Sequence, residues 1–159
     1  MPDHYYTQTP TSAHKPGQVD FLWRGAKLVF ETDSGVFSRT EIDKGTEILL
    51  NALPEELTGS LLDMGCGYGV IGVTLGKRYP GLSVVMSDVN ERAVELSRRN
   101  AQRNGVPARV MQSDGYADVP FQRMDWIVQN PPIRAGKSVI YAMFAEGARR
   151  LEPSGELWL

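Results

Sequence analysis

Residues Leu61-Leu62-Asp63-Met64-Gly65-Cys66-Gly67-Tyr68-Gly69 decide the fold. A short, mostly apolar run ends in three alternating glycines, and Val70 to Tyr79 then shows helical character closed by Pro80-Gly81. This predicts a buried strand turning into a helix, a place where a nucleotide-like ligand touches backbone. The pattern repeats downstream. Ser83 to Ser87 reads as a second strand ending in Ser87-Asp88. Asn90 caps a predicted helix through Asn104, with Ala93, Val94, Leu96, Ser97 and Ala101 inward and Gly105 as its stop. Arg109 to Gln112 and Asp125 to Gln129 are predicted as the third and fourth strands. Val139 to Leu151 is a predicted helix with Ile140, Phe144, Ala148 and Leu151 inward, and Gly155 to Leu159 a fifth strand. Strand and helix in alternation imply an α/β, doubly wound and mainly parallel sheet, with ligands at the carboxyl ends of its strands.

Upstream, residues 1–25 read as an irregular arm rich in Pro, Thr, Gln and Gly. Ala26 to Glu31 is a predicted strand, Asp33-Ser34-Gly35 a turn and Val36-Phe37 the start of a return strand, giving a hairpin. Asp43 is the predicted cap of a helix carrying Ile48, Leu49, Ala52 and Leu53 on one face and ended by Pro54. The expected division is 1–58, an arm, hairpin and helix extension covering the site, and 59–159, the sheet core. The chain stops inside the fifth strand, so a core incomplete at its C-terminus is expected.

Bulk properties narrow the function. The 159 residues suit one domain, and 42% hydrophobic with 23% charged residues is ordinary globular composition. Net charge is −2, distributed unevenly: 5 Lys/Arg against 9 Asp/Glu in residues 1–60, and 12 against 10 in the rest. Arg98, Arg99, Arg103 and Arg109 form a basic cluster, read first as a solvated helix face, with Arg134 and Lys137 elsewhere. Cys66 is the only cysteine, so a cysteine metal cluster and an internal disulfide are excluded; it reads as a small residue in a tight turn. No metal is expected. No run is long and apolar enough to span a bilayer, and no signal peptide is visible, so a cytoplasmic monomer away from membranes is the expectation.

Gly67-Tyr68-Gly69-Val70-Ile71-Gly72 matches a dinucleotide fingerprint, with Asp88 near the offset of a ribose-binding acid. A tight turn with close helix–strand packing would show the same glycines. Charge separates the ligands: a pyrophosphate wants bare N–H groups and no carboxylate nearby, yet Asp63 immediately precedes the glycines. Beside the ammonium and sulfonium of S-adenosylmethionine that carboxylate is favourable, directly or through water. Asp88 suits two ribose hydroxyls, although it also suits the first turn of the next helix. Asp114, in Ser113-Asp114-Gly115, suits the adenine amino group or an Asx turn equally.

After the apolar Trp126-Ile127-Val128-Gln129 comes Asn130-Pro131-Pro132-Ile133. The Asn130 side-chain oxygen and the Pro131 carbonyl are two acceptors for the N–H groups of a planar amine, favouring a more nucleophilic nitrogen. Pro131 and Pro132 fix the geometry beforehand, so positioning carries the chemistry without a general base or metal. A rigid strand-ending turn without chemistry is the plainer alternative.

Together these motifs resemble class I S-adenosylmethionine-dependent methyltransferases, in the small-domain type of the ribosomal small-subunit methyltransferase C group. His4-Tyr5-Tyr6, Phe30 to Ser38 and Ile42-Asp43-Lys44-Gly45-Thr46 extend the resemblance over nearly the whole chain. It implies a Rossmann-like methyltransferase fold and methylation of guanine N2 in ribosomal RNA during rRNA processing. It implies that Asp63, Gly65, Gly67 and Gly69 hold the methionine end, Asp88 and Val89 the ribose region, Asp114 the adenine, and Asn130 lies against cofactor and target. Phe37 would cover the cofactor and, with Pro132 and Ile133, border the substrate; Arg134 and Lys137, following the Asn-Pro-Pro turn directly, are placed to meet the flanking phosphates. Ile133 stands where an aromatic residue often stacks on the base. Rivals are methylation of a protein glutamine or small-molecule amine, a nicotinamide-dependent oxidoreductase, and a non-catalytic nucleotide-binding module.

Overall fold

The computed structural model describes residues 9, 11–129 and 136–159. Five strands form one sheet in the order β5-β4-β3-β6-β7, comprising β3 (Ser60–Met64), β4 (Ser83–Asp88), β5 (Ala108–Gln112), β6 (Met124–Gln129) and β7 (Leu151–Trp158). Every neighbouring pair is parallel. Helices α2 (Val70–Arg78), α3 (Glu91–Arg103) and α4 (Lys137–Arg149) make the crossovers. The doubly wound α/β architecture is therefore present. Register aligns Met64 with Ser87 and with Gln129, and Asp88 with Gln112, so four strands end at one edge. β3 is central and Leu61 to Met64 are buried, because both faces are covered. Leu61, Val84 and Met86 pack with Val73, Leu96, Leu28 and Phe30 in one cluster. Leu62, Met64, Val85 and Ile127 pack with Tyr116 and Val119 in another.

The N-terminal hairpin is present, but its strands are β1 (Gly17–Trp23) and β2 (Ala26–Thr32), with Gly17 opposite Thr32. The partner of the Ala26 strand thus precedes it, and residues 17–23 are not irregular. Arg24 and Gly25 both take positive φ, the geometry of a two-residue hairpin turn, and Val19 and Trp23 bury their shared face. Val36-Phe37 is not a strand. The segment is held as a loop by Asp33, which accepts from Lys15 and Ser34 N–H groups, and by Thr32 Oγ1 donating to Arg39 O.

Helix α1 (Lys44–Ala52) starts at Asp43, whose carboxylate accepts from Thr46 N–H. Its buried side is Leu50 with Leu53, whereas Ile48 is 64% exposed, so the expected inward face was rotated. α4 also turns a different side inward. Ala148 is exposed and Leu151 belongs to β7, while Met143 packs on the core and Gly147 is buried. A Cβ at Gly147 would lie 2.5 Å from Gln129 Nε2 and 2.8 Å from Tyr116 Oη, so a bare backbone sets which side approaches the sheet. β7 begins four residues earlier than predicted. Its register slips between Met124 and Trp126, which accommodates Pro153 on an edge strand. Among the described residues no helix is long and apolar enough to cross a membrane.

Candidate functional site

The glycine turn is built by β4. The N–H groups of Gly65 and Cys66 both donate to Ser87 O, at 2.8 and 3.0 Å, folding the end of β3 over its neighbour. Gly67 has φ +57° and its N–H donates to Asp88 Oδ2 at 2.8 Å; a Cβ there would meet nothing within 4 Å. Glycine at 67 is thus required by backbone conformation and leaves its surface bare. Gly69, φ +98°, caps α2 and packs below the turn, where a Cβ would be 3.2 Å from Ser97 Oγ.

Above the turn lies a cavity of about 520 Å³, within the range of small-molecule sites. Gly65 to Tyr68 form its floor, with Asp88 and Val89 at one side and Ser113 to Tyr116 beyond them. Val36, Phe37, Ser38, Asp43 and Thr46 close another wall, and Val139, Ala142, Met143 and Glu146 present one stripe of α4. The 35–41 segment is tied down by Tyr68, whose hydroxyl donates to Ser38 O at 3.1 Å, and by Asn90 Nδ2 donating to Gly35 O at 2.7 Å. Phe37 stands at the cavity, 42% exposed.

Asp88 accepts from Asn90 N–H through Oδ1 and from Gly67 N–H through Oδ2. Burial pushes its carboxyl up to about 6 despite those bonds. Asp63 is fully buried and does not line the cavity. Its Oδ2 accepts from Gly72 N–H at 2.9 Å, and Oδ1 has no partner among the described residues. Burial drives it up to about 7; the Gly72 bond opposes that and the charge of Asp88 adds to it. Asp63 therefore lies beneath the turn as support, not on the cavity wall.

Of the residues expected to bind cofactor, Gly65, Gly67, Asp88, Val89 and Asp114 are brought together on this cavity, while Asp63 and Gly69 sit under it. Lys137 is the exposed first residue of α4 and is not on the wall. Asn130, Pro131, Pro132, Ile133 and Arg134 lie outside the described residues.

The sequence did not single out Asp43, Thr46, Tyr116, Met143 or Glu146 as wall residues. Asp43 reads as a helix cap and, with Thr46, as part of the Ile42–Thr46 resemblance, without a site role; the others face the cavity through tertiary docking. Gln129 Nε2 donates to Tyr116 Oη and, at 2.9 Å, to Met143 O, so one buried amide joins β6, the 113–116 wall and α4. Arg150, 8% exposed, donates to Glu146 Oε1 at 2.9 Å and to Val119 O at 2.8 Å, fixing that carboxylate on the wall.

The cavity thus carries Asp43, Asp88, Asp114 and Glu146 and, among the described residues, no Lys or Arg. A pyrophosphate there would face these carboxylates with no cation on the wall among the described residues. A nucleoside bearing sulfonium and ammonium charges fits this donor set, and the bare turn with Asp88 fits its ribose.

The sequence profile described as "Methyltransferase small domain" matches residues 27–159. The chain is 43% identical over 162 residues to "Uncharacterized protein YbxB" of Bacillus subtilis, covering all of this chain and 81% of that relative. It is also 43% identical over 166 residues to the ribosomal RNA small subunit methyltransferase C of Hahella chejuensis, covering 97% of this chain and 48% of that protein. Among solved structures, the Thermus thermophilus 16S rRNA N2 G1207 methyltransferase RsmC, in complex with AdoMet and guanosine, superposes with TM-score 0.80 at 28% identity. That match covers 93% of this chain and 42% of the other. The chain spans about half, or less, of the length of these ribosomal RNA methyltransferases.

Proposed function

Because this chain belongs to the methyltransferase small domain family, we propose that it methylates the exocyclic N2 amine of a guanine in ribosomal RNA, using S-adenosylmethionine. The observation that carries the cofactor is the cavity over Gly65–Tyr68, walled by four carboxylates and by no cation among the described residues. When bound, S-adenosylmethionine supplies a methyl group already activated on a sulfonium. What falls to the protein is binding and orientation. Gly65 and Gly67 offer backbone on which the ligand lies close, Asp88 accepts from the ribose hydroxyls with its remaining lone pairs, and Asp114 accepts from the adenine amine. Phe37 covers the ligand and helps exclude water.

The RNA substrate is supported by the ribosomal RNA methyltransferases that resemble the chain, two of them named above. In this proposal Asn130 and Pro131 present two acceptors to the target amine, Pro132 and Ile133 hold the base, and Arg134 and Lys137 meet the flanking phosphates. A flipped base held this way needs no protein nucleophile.

Two measurements test the proposal. Calorimetry should show S-adenosylmethionine binding and no comparable binding of NAD; the reverse would return the site to dinucleotide chemistry. Labelled methyl groups should enter RNA of small ribosomal subunits taken from a strain lacking this gene. Asn130→Ala should keep cofactor affinity within a few fold and lower transfer on the order of 10² or more. Near-normal turnover would leave residues 130–132 a structural turn.

A further inference from the structure

Resting on the cofactor proposed above, we infer that Asp43 binds the α-ammonium of the methionyl end of S-adenosylmethionine, the part that the sequence motif allotted to Asp63. Asp63 is sealed beneath the turn, fully buried and off the cavity wall. With adenine at Ser113–Asp114 and ribose at Asp88, the amino-acid end is left the remaining lining, Gly65–Tyr68 and the wall that includes Asp43. Tyr68 Oη donates to Ser38 O at 3.1 Å and to Glu41 O at 3.5 Å, which brings the segment leading into Asp43 against the Tyr68 end of the turn.

The other wall acids are less suited. Glu146 already holds Arg149 and Arg150, at 3.1 and 2.9 Å, so its charge is met by protein cations. Asp88 already receives two backbone N–H groups, from Gly67 and Asn90, and in this placement holds the ribose. Asp43 uses one oxygen, Oδ2, on Thr46 N–H and Thr46 Oγ1, at 3.0 and 3.3 Å. Its Oδ1 makes no bond among the described residues, and neither oxygen meets a described cation. The carboxylate is thus held still by the helix it caps, with an oxygen and a full charge available to an ammonium in a half-enclosed site.

The capping role and the binding role separate by substitution. Asparagine caps a helix as well as aspartate does, so Asp43→Asn keeps the bond to Thr46 N–H and removes only the charge; Asp43→Ser is a second neutral cap. Two ligands complete the test by calorimetry. S-adenosylhomocysteine carries the amino-acid end without the sulfonium charge, and 5′-methylthioadenosine keeps adenine, ribose and sulfur but lacks that end. The expected result is an S-adenosylhomocysteine affinity about tenfold weaker in Asp43→Asn, methylthioadenosine within twofold, and an unchanged melting temperature. Unchanged S-adenosylhomocysteine affinity, or an equal loss for both ligands, overturns the assignment. Wild-type protein that binds neither ligand would remove the cofactor proposal itself, and this inference with it.

Discussion

Asp88 receives hydrogen bonds on both carboxylate oxygens, yet the low exposure of the site still raises its ionisation to about 6. In the proposed complex the ribose hydroxyls donate to the ionised carboxylate, the stronger acceptor, so binding and deprotonation are linked. S-adenosylmethionine affinity should therefore fall as pH drops below about 6, by up to about tenfold per pH unit, with proton release on binding between pH 5 and 7. Calorimetry in buffers of different ionisation heat reads that proton; pH-independent affinity would remove Asp88 from the ribose. Asp88→Ala should cost about 1.5–3 kcal/mol of binding and abolish this dependence. Asp63 acts on stability with the same chemistry. Its folded-state value, about 7, stands above the unfolded one near 3.8, so protons bind the native state better in between. The stability it confers is complete below pH 4 and is lost as pH rises through 7, on the order of a few kcal/mol. Urea unfolding of Asp63→Asn should show a flatter profile over that window; an identical slope in wild type would reject this account.

α3 is tied to β2 and to the glycine turn by two asparagines one turn apart. Asn100 accepts from Glu31 N–H at 2.7 Å and donates to Glu31 O and to Tyr68 O, while Asn104 exchanges both bonds with Val29. Spaced by four residues on a helix, their amides match alternate residues of β2, acting as a substitute strand partner along its free edge. Asn100 is fully buried, so Asn100→Ala would leave three backbone groups unpaired and should destabilise by about 2–4 kcal/mol. Asn104 is half-exposed, water can replace it, and Asn104→Ala should cost less. Denaturant melts of the two variants check the order. α4 depends on contact of the opposite kind, a missing side chain. Gly147→Ala gains about 1 kcal/mol of helix propensity but drives a methyl into Gln129 and Tyr116, so a net loss of stability is expected by thermal melting.

At the scale of the whole molecule, the arginines of α3 are engaged by the protein's own surface among the described residues. Arg99 and Arg103 pair with Glu31 at 3.3 and 3.7 Å, and Arg98 donates to Val110 O. These are exposed pairs that contribute little to stability, and they face away from any role at the cavity. Phosphate contacts are then expected from Arg134 and Lys137. Replacing both by alanine should raise the apparent KM for RNA and reduce the slope of log affinity against log salt by about 1–2, with cofactor affinity unchanged. A KM indifferent to salt in wild type would point away from nucleic acid.

What the sequence by itself determined is whatever depends on neighbours in the chain. The central strand and its glycine turn, the Asn90 and Asp43 caps, and the alternation that makes the sheet parallel were legible because local periodicity and capping chemistry encode them. So were Gly67 and Asp88, fixed at the ends of adjacent strands by parallel register. The tertiary structure alone decided the rest. The hairpin formed with the preceding segment because Arg24-Gly25 supplied the tighter turn; docking turned Leu50 of α1 inward and set Gly147 of α4 against Gln129 and Tyr116. Asp63 and Asp43 show the reason most directly. Both carry one carboxylate beside a helix start, but only packing places the first beneath the turn and the second on the wall, since depth below a surface depends on what the distant chain lays over it.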